Sequence, residues 1–232
     1  MSAVSWSRLG GGLCGLLVAF GLVFLGSPGS LADVAEEKAD LSLSLEGQAF
    51  TNDLGMKFVP VAKGSFQMGS PKDEKNRQDD EQQHKVEITK DFYLATTEVT
   101  QKQFETLMGK NPSHFSKNGA GAASVQGIDT SNFPVESVSY QDATTFIDKL
   151  NARDRRRSGW KYALPTEAQW EYACRGGPDA TTKPIRFAKP AESLSVGEAN
   201  FDGNPYNGGQ AGKPLGRPCK VGSYKQIGRA HV

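Results

Sequence analysis

The chain has 232 residues, a net charge of +1, 37% hydrophobic residues, 26 glycines and 12 prolines. That length holds one domain with a real core, and the glycine and proline content points to a loop-rich one. The balanced charge excludes a basic nucleic-acid face or a basic membrane-surface face as the organising feature.

Residues 1–32 have the layout of a secretory leader. Arg8 supplies the early positive charge, and Leu13 to Leu25 is an apolar run too short and too glycine-rich to favour a spanning helix. Ser30-Leu31-Ala32 places small residues for a cut before Asp33. An uncleaved amino-terminal anchor is the alternative. The expected location is therefore periplasmic or extracellular, with no membrane contact beyond the leader. Cys14 would leave with it. Export permits a disulfide between Cys174 and Cys219, but the sequence does not fix that pairing. Residues 33–56 read as a linker, with a weak alternation at Leu41, Leu43 and Leu45 that suggests an edge strand.

Lys57 to Ser70 reads as a hairpin. Phe58, Val59 and Val61 form the first apolar segment, Lys63-Gly64-Ser65 supplies turn chemistry, and Phe66 and Met68 alternate on the return. No strand–glycine–helix order follows, which excludes a nucleotide-phosphate loop. Pro71 to Lys85 is a charged loop. Asp79, Glu81 and His84 raise the idea of a metal site, but acids interleaved with Lys and Gln lack ligand spacing, and a solvated loop is the better reading.

Val86 to Leu94 alternates as a second strand region. Glu98-Val99-Thr100 then opens a helix, with Thr100 and Gln103 spaced as a capping box. Phe104, Leu107 and Met108 form its buried face. Gly109 ends it, and Asn111-Pro112 prevents continuation. Ser116 to Asn132 is a loop of small residues, expected to be mobile. Phe133 to Tyr140 leads from a short strand into a helix capped by Ser139 with Asp142. Ala143, Phe146, Ile147 and Leu150 make its apolar stripe, and Arg153 to Arg157 form a basic end that suits the helix dipole.

Leu164 to Gly177 reads as a short helix with both ends marked. Thr166 caps it, Gln169 reaches back to the Thr166 amide, and Gly176 sits where a left-handed residue ends a helix. Trp170, Ala173 and Cys174 fall on one face. That face carries no acid, base or nucleophile set, so by itself it is scaffold, with Cys174 a small buried hydrophobe.

The stretch Leu164-Pro165-Thr166-Glu167-Ala168-Gln169-Trp170-Glu171-Tyr172-Ala173-Cys174-Arg175-Gly176-Gly177 closely resembles the L-P-T-E-A-E-W-E-Y-A-x-R-G-G signature of the formylglycine-generating enzyme, or sulfatase-modifying factor, family. Further matches run from about Lys57 to Gln226. Phe58, Gly64, Phe66, Met68, Gly69 and Ser70 resemble the family's opening. Glu98, Val99, Thr100 and Phe104 fit its E-V-T-x-x-x-F pattern, and Val221-Gly222-Ser223 fits its V-G-S. There are departures. Tyr140 replaces a tryptophan, Ala163 replaces an arginine, and a P-W-G-D loop is unrecognisable around Pro184 to Ala188.

The resemblance implies an α+β, irregular, loop-rich C-type-lectin-like fold, present as a partial domain over residues 57–226 and truncated at the carboxy terminus. Ala199-Asn200-Phe201 matches the place where family members set a structural calcium, through an asparagine side chain (Asn200) and the next carbonyl (Phe201). The family's activity uses O₂ and a copper ion held by two cysteines to convert a cysteine in a Cys-x-Pro-x-Arg context of a sulfatase to formylglycine, thiolates being soft ligands for Cu(I). Those cysteines follow G-N-V-W-E-W and R-G-G-S-W motifs, which this chain lacks, and Cys174 and Cys219 do not align with them. In exported relatives, a cysteine at the position of Cys174 pairs with one in the later part of the domain. No catalytic residue is assigned, the fragment is expected to be inactive, and copper is expected in a full-length active form. Ile227 to Val232 read as the translation of a common short-read sequencing adapter, so residues 227–232 are expected to be foreign and the natural chain to continue past Gln226. A histidine-rich iron site, as in sulfoxide-forming relatives, is not supported by His84 and His114, which sit thirty residues apart on polar loops. The alternative to the oxidase is a non-catalytic ligand- or partner-binding module of the same fold.

Overall fold

The computed structural model describes residues 22–26, 47–73, 79–154, 160–179, 193, 195–201 and 209–224. The possible edge strand at Leu41–Leu45, the Pro184–Ala188 loop, Arg155–Arg157, most of the leader and the last six residues lie outside the described residues. In chain order the elements are β1 (Val23–Gly26), β2 (Phe50–Thr51), β3 (Lys57–Val61), β4 (Gly64–Met68), β5 (His84–Ile88), β6 (Phe92–Ala95), α1 (Gln101–Met108), α2 (Tyr140–Arg153), β7 (Trp160–Ala163) and α3 (Glu167–Cys174), with short 3₁₀ turns at Ala122–Val125 and Gly177–Asp179. The domain is a mixed α and β one, as expected.

Five strands form one antiparallel sheet in the order β2-β3-β6-β1-β7, and β4 pairs with β5 in a separate two-stranded sheet. The expected hairpin over Lys57–Ser70 is therefore not formed. β3 gives one edge to β2 and the other to β6, where Phe58 faces Ala95 and Val61 faces Phe92. Lys63 N donates to the Asp91 carboxylate at 2.7 Å, which holds the corner. At Gly64 the chain runs so close to Tyr172 that a Cβ there would overlap the phenol oxygen. β4 is thereby carried off the main sheet to pair with β5, from Gly64↔Ile88 to Met68↔His84. The region Val86–Leu94 likewise splits at Thr89–Asp91 into strands of different sheets. β6 is buried at every residue, which is the pattern of an interior strand covered on both faces.

Successive residues of the main sheet divide between two cores, as the period of two requires. Leu22, Phe58, Tyr93, Ala95 and Tyr162 face one cluster with Phe104 of α1 and Phe146 of α2. Val23, Val61, Phe92 and Leu94 face the other, with Phe66, Ile88 and α3's Tyr172 and Ala173. The Phe104 and Phe146 rings stack at 5.5 Å and 5°, locking α1 to α2.

The helix ends are those expected. Thr100, Ser139 and Thr166 each accept from the backbone three residues on, and Gln103, Asp142 and Gln169 each return a bond to the cap amide. Gly109 ends α1 with φ 74°, and Gly176 follows α3 with φ 99°. The buried face of α3 differs from the expected one. Tyr172 and Ala173 are fully enclosed, whereas Trp170 and Cys174 are half-buried, because the second sheet packs a turn-fraction round from the stripe that Trp170 suggested.

The small-residue segment after Ser116 is not a loose loop. Gly119 N donates to Ser116 O, Gly121 N to His114 O and Ala122 N to Gly119 O, all within 3.1 Å. A Cβ at Gly119 would overlap the carbonyl oxygens of Ser113 and His114, so the turn closes around the absence of a side chain. Among the described residues, no helix is long and apolar enough to cross a membrane.

Candidate functional site

Two sets of groups concentrate the polar chemistry. The first is enclosed. Gln101, at the start of α1, is 1% exposed. Its Nε2 donates to Phe115 O at 3.1 Å, while its Oε1 accepts from Asn111 Nδ2 and Thr130 Oγ1, both at 3.0 Å. Beside it, the buried Glu136 accepts from Phe115 N at 2.7 Å and from Ser137 Oγ at 2.6 Å, and its own N–H reaches Ser113 Oγ. Ser137 holds this geometry with φ 60°, a conformation uncommon outside glycine. The remaining donors of α1's first turn are satisfied by Phe133 O and Ser131 O. Every member has a partner, so the network positions the loops rather than offering a ligand an open group.

The second set lies where the last described segments cross the body. Val221 N donates to Asn132 O, and Arg217 places its guanidinium 5.8 Å over the Phe133 ring. Asn200 is exposed, Phe201 is half-buried, and Asn200 Nδ2 donates to Arg217 O at 2.9 Å. That bond ties the 195–201 segment to the 209–224 segment. Cys219 lies near Glu98, Ser223 and Arg217. Burial pushes its thiol up, with the Glu98 charge adding to the effect and the Ser223 hydroxyl opposing it. Burial likewise raises the Glu98 carboxyl.

Cys174 sits on α3, away from the expected role of a simple hydrophobe only in its neighbours. Burial first, then the Glu171 charge, pushes its thiol up to about 12, against the opposing pull of Arg175. Glu171 and Arg175 are themselves committed: Glu171 Oε1 accepts from Gly69 N at 2.9 Å and Arg175 Nε at 2.7 Å, and Arg175 donates to Gly69 O at 2.9 Å. This brace joins the signature helix to the Met68–Ser70 strand end.

Neither cysteine is in a disulfide. The thiolate is the reactive and metal-binding form, and both sites disfavour it. The resemblance aligns neither cysteine with the family's copper-binding pair, and no step through copper is assigned to these residues. Among the described residues no group of three His, Cys, Asp or Glu side chains is placed to hold a metal; Asp79 and Glu81 lie before β5, whereas His84, expected on the loop, is the first residue of β5 opposite Met68. A thiol of pKa about 12 is deprotonated in about one molecule in ten thousand at pH 8. In a Cys14→Ser background, a maleimide at pH 8 is expected to label Cys219 well before Cys174. Equal labelling rates, read by peptide mapping, would contradict the environment described for α3.

The architecture and the brace at Leu164–Gly177 define a class. Residues 47–222 match the model of the sulfatase-modifying factor enzyme 1-like domain, and the chain belongs to that family. The match begins before Lys57 and takes in β2, which lies in the span read as a linker. Two curated relatives carry names. The chain is similar to the chaperone protein LppX of Paenibacillus barcinonensis, at 33% identity over 118 residues, covering 38% of this chain and 37% of that protein. It is also similar to the formylglycine-generating enzyme of Mus musculus, at 28% identity over 160 residues, covering 52% of this chain and 40% of the enzyme. The chain thus spans well under half the length of either relative. Among solved structures, PvdO from Pseudomonas aeruginosa shares the fold, with a TM-score of 0.55, 22% identity, and coverage of 79% of this chain and 69% of that one.

The sequence singled out Asn200 and Phe201, and the structure brings them beside Arg217. It missed Gln101 and Glu136, whose importance is non-local. Apart from Ser137, next to Glu136, their partners are ten to thirty residues away in the chain, and no spacing rule signals such a network.

Proposed function

We propose that this chain is the amino-terminal part of an exported formylglycine-generating-type domain, which in its full-length form oxidises a cysteine of a sulfatase-type protein to formylglycine. The observation that carries the reading is the family match over residues 47–222, together with the similarity to the mouse enzyme across more than half of this chain. In that reaction the thiol-bearing carbon gives up two electrons and becomes an aldehyde, sulfur leaves as hydrogen sulfide, and O₂, reduced to the water level, takes its other two electrons from an external thiol that ends as a disulfide. The contribution of the described residues is scaffold: the α3 brace and the Gln101 network fix the loops around them. The C-type-lectin-like arrangement and the incompleteness of the domain belong to the same proposal. The shared fold with PvdO and the partial coverage of the curated relatives support them.

The test joins the gene's downstream reading frame to residue 226. The extended protein is then incubated with Cu(I), O₂, a thiol reductant and a Cys-x-Pro-x-Arg peptide, and the product is examined by mass spectrometry. An aldehyde formed by the extended protein, with none formed by residues 33–226, is the expected result. An extended frame that carries a cysteine pair yet leaves the peptide unchanged would remove the oxidase reading.

A second reading is favoured by the similarity to a relative named a chaperone protein. On it the domain is a non-catalytic module that binds a protein client, as that relative's name suggests. Co-purification of an unmodified client with the extended protein, with no aldehyde product, would favour it.

For the metal, we place a structural calcium at Asn200 Oδ1 and the Phe201 carbonyl, oxygen ligands on a loop being suited to that cation. The hydrogen bond from Asn200 Nδ2 to Arg217 O, which fixes the side-chain amide on this loop, supports the assignment. At a hundredfold excess over its Kd, calcium would stabilise the fold by about 2.7 kcal/mol. The melting temperature of the extended protein should rise with added calcium, and Asn200→Ala should abolish the rise. An equal rise in the variant would move the site elsewhere.

A further inference from the structure

The central slot of the main sheet is filled by a strand from an unexpected place. β1 lies within the leader-like segment, yet it pairs antiparallel with β6 on one side (Val23↔Leu94, Phe24↔Tyr93, Leu25↔Phe92) and with β7 on the other (Val23↔Ala163 through Gly26↔Trp160). Ala95 N adds a bond to Leu22 O. Leu22 and Val23 are both fully enclosed, and they point into different cores, so this short stretch seals the sheet on both faces. Among the described residues, β6 meets β7 in the strand order through β1. At the Leu25 end the slot opens on a cleft of about 480 Å³ lined by Leu25, Ile88, Lys90, Lys161 and Thr166, which gives a strand a way in from solvent.

We propose that the gap between β6 and β7 is a strand-acceptor groove that binds an extended apolar peptide, and that residues 22–26 are its ligand supplied in cis. The groove offers two strand edges, both taken here by β1, with an apolar pocket above and another below. It therefore selects a segment that is apolar at two successive positions, where a half-buried strand would alternate apolar and polar residues. Main-chain bonds to both walls supply affinity, and the Leu22 and Val23 pockets supply specificity, the logic of strand addition applied inside a sheet. A cut before Asp33 turns this covalent strand into a peptide ligand that competes with any other segment of the same chemistry. This inference stands apart from the oxidase reading and survives its failure.

The test uses the full chain with a protease site placed between Ala32 and Asp33. After cutting, residues 1–32 should co-elute with the remainder on gel filtration. A lysine-flanked synthetic peptide of residues 22–26 should displace them saturably, and the same peptide carrying Val23→Asp should not. In the uncut chain, freed of its natural cysteines, Leu25→Cys with Lys161→Cys should form a disulfide on mild oxidation, because directly opposed strand residues lie within disulfide reach. Leu25→Cys with Val59→Cys, separated by β6, should not. The proposal is overturned if residues 1–32 separate and the rest keeps its melting midpoint, or if the Val23→Asp peptide competes as well as the native one. It is equally overturned if the 25–161 bond fails to form in a chain whose far-ultraviolet spectrum is folded.

Discussion

Replacing Gln101 by leucine is expected to lower the stability of the folded chain by about 3–5 kcal/mol, since each buried polar partner left unsatisfied costs about 1–3 kcal/mol. Leucine fills much the same volume, so packing changes little. The loss comes from Phe115 O, Asn111 Nδ2 and Thr130 Oγ1, which all spend a hydrogen bond on this one amide. Part of the penalty is relieved where Asn111, half-buried, reaches water. Set against a typical domain stability of about 5–15 kcal/mol, the variant would stand close to unfolding. Urea unfolding gives the measurement: the midpoint should fall with little change in slope. Thr130→Val removes one member and should cost no more than about 1–3 kcal/mol. If Gln101→Leu lies within about 1 kcal/mol of the parent, the network is not what holds the Asn111–Thr130 region on α1.

Tyr172→Ala is expected to cost about 3–5 kcal/mol, the range for emptying a buried aromatic site. Its ring lies 5.3 Å from that of Phe66, and its hydroxyl donates to Ala62 O at 3.1 Å, so a single side chain ties α3 to both the β3–β4 corner and the second sheet. Tyr172→Phe should cost about 1 kcal/mol, the usual share of one hydrogen bond. The sharper result concerns Gly64. A methyl group there overlaps the Tyr172 hydroxyl but lies 3.5 Å from the ring carbon behind it. Gly64→Ala should therefore be severe in the parent and mild with Tyr172→Phe. A coupling of more than about 1 kcal/mol in the double-mutant cycle is expected, and additivity would show that the corner relaxes without cost.

These residues also show what the sequence made legible. The capping boxes at Thr100, Ser139 and Thr166 were readable because a cap is a local contract between residues three apart. Gly109 was readable because it sits where its helix must stop. The Lys57–Ser70 hairpin was misread for the opposite reason. Alternation and turn chemistry were present on both sides of Lys63, but the decision between pairing with β4 and pairing with β6 is made by Asp91 and Tyr172, far along the chain. On α3, Trp170 was the larger and more conspicuous aromatic, yet the buried ring is Tyr172, because the neighbour that selects the face is β4 rather than anything in the helix. At the candidate site, Asn200 and Phe201 were reachable through resemblance to a family, whereas Gln101 and Glu136 offered no local pattern at all.

Gly119 gives the fold a point of strict mutational intolerance in otherwise permissive surroundings. Lys117, Asn118 and Ala120 are exposed, and replacing them should leave the turn unchanged. Position 119 is closed to every side chain by two backbone carbonyls that no rotamer change can move aside. Under random mutagenesis followed by selection for soluble protein, the stretch should drift freely on either side of one invariant residue. A catalytic role would be the wrong explanation for that invariance, which follows from the space between two oxygens.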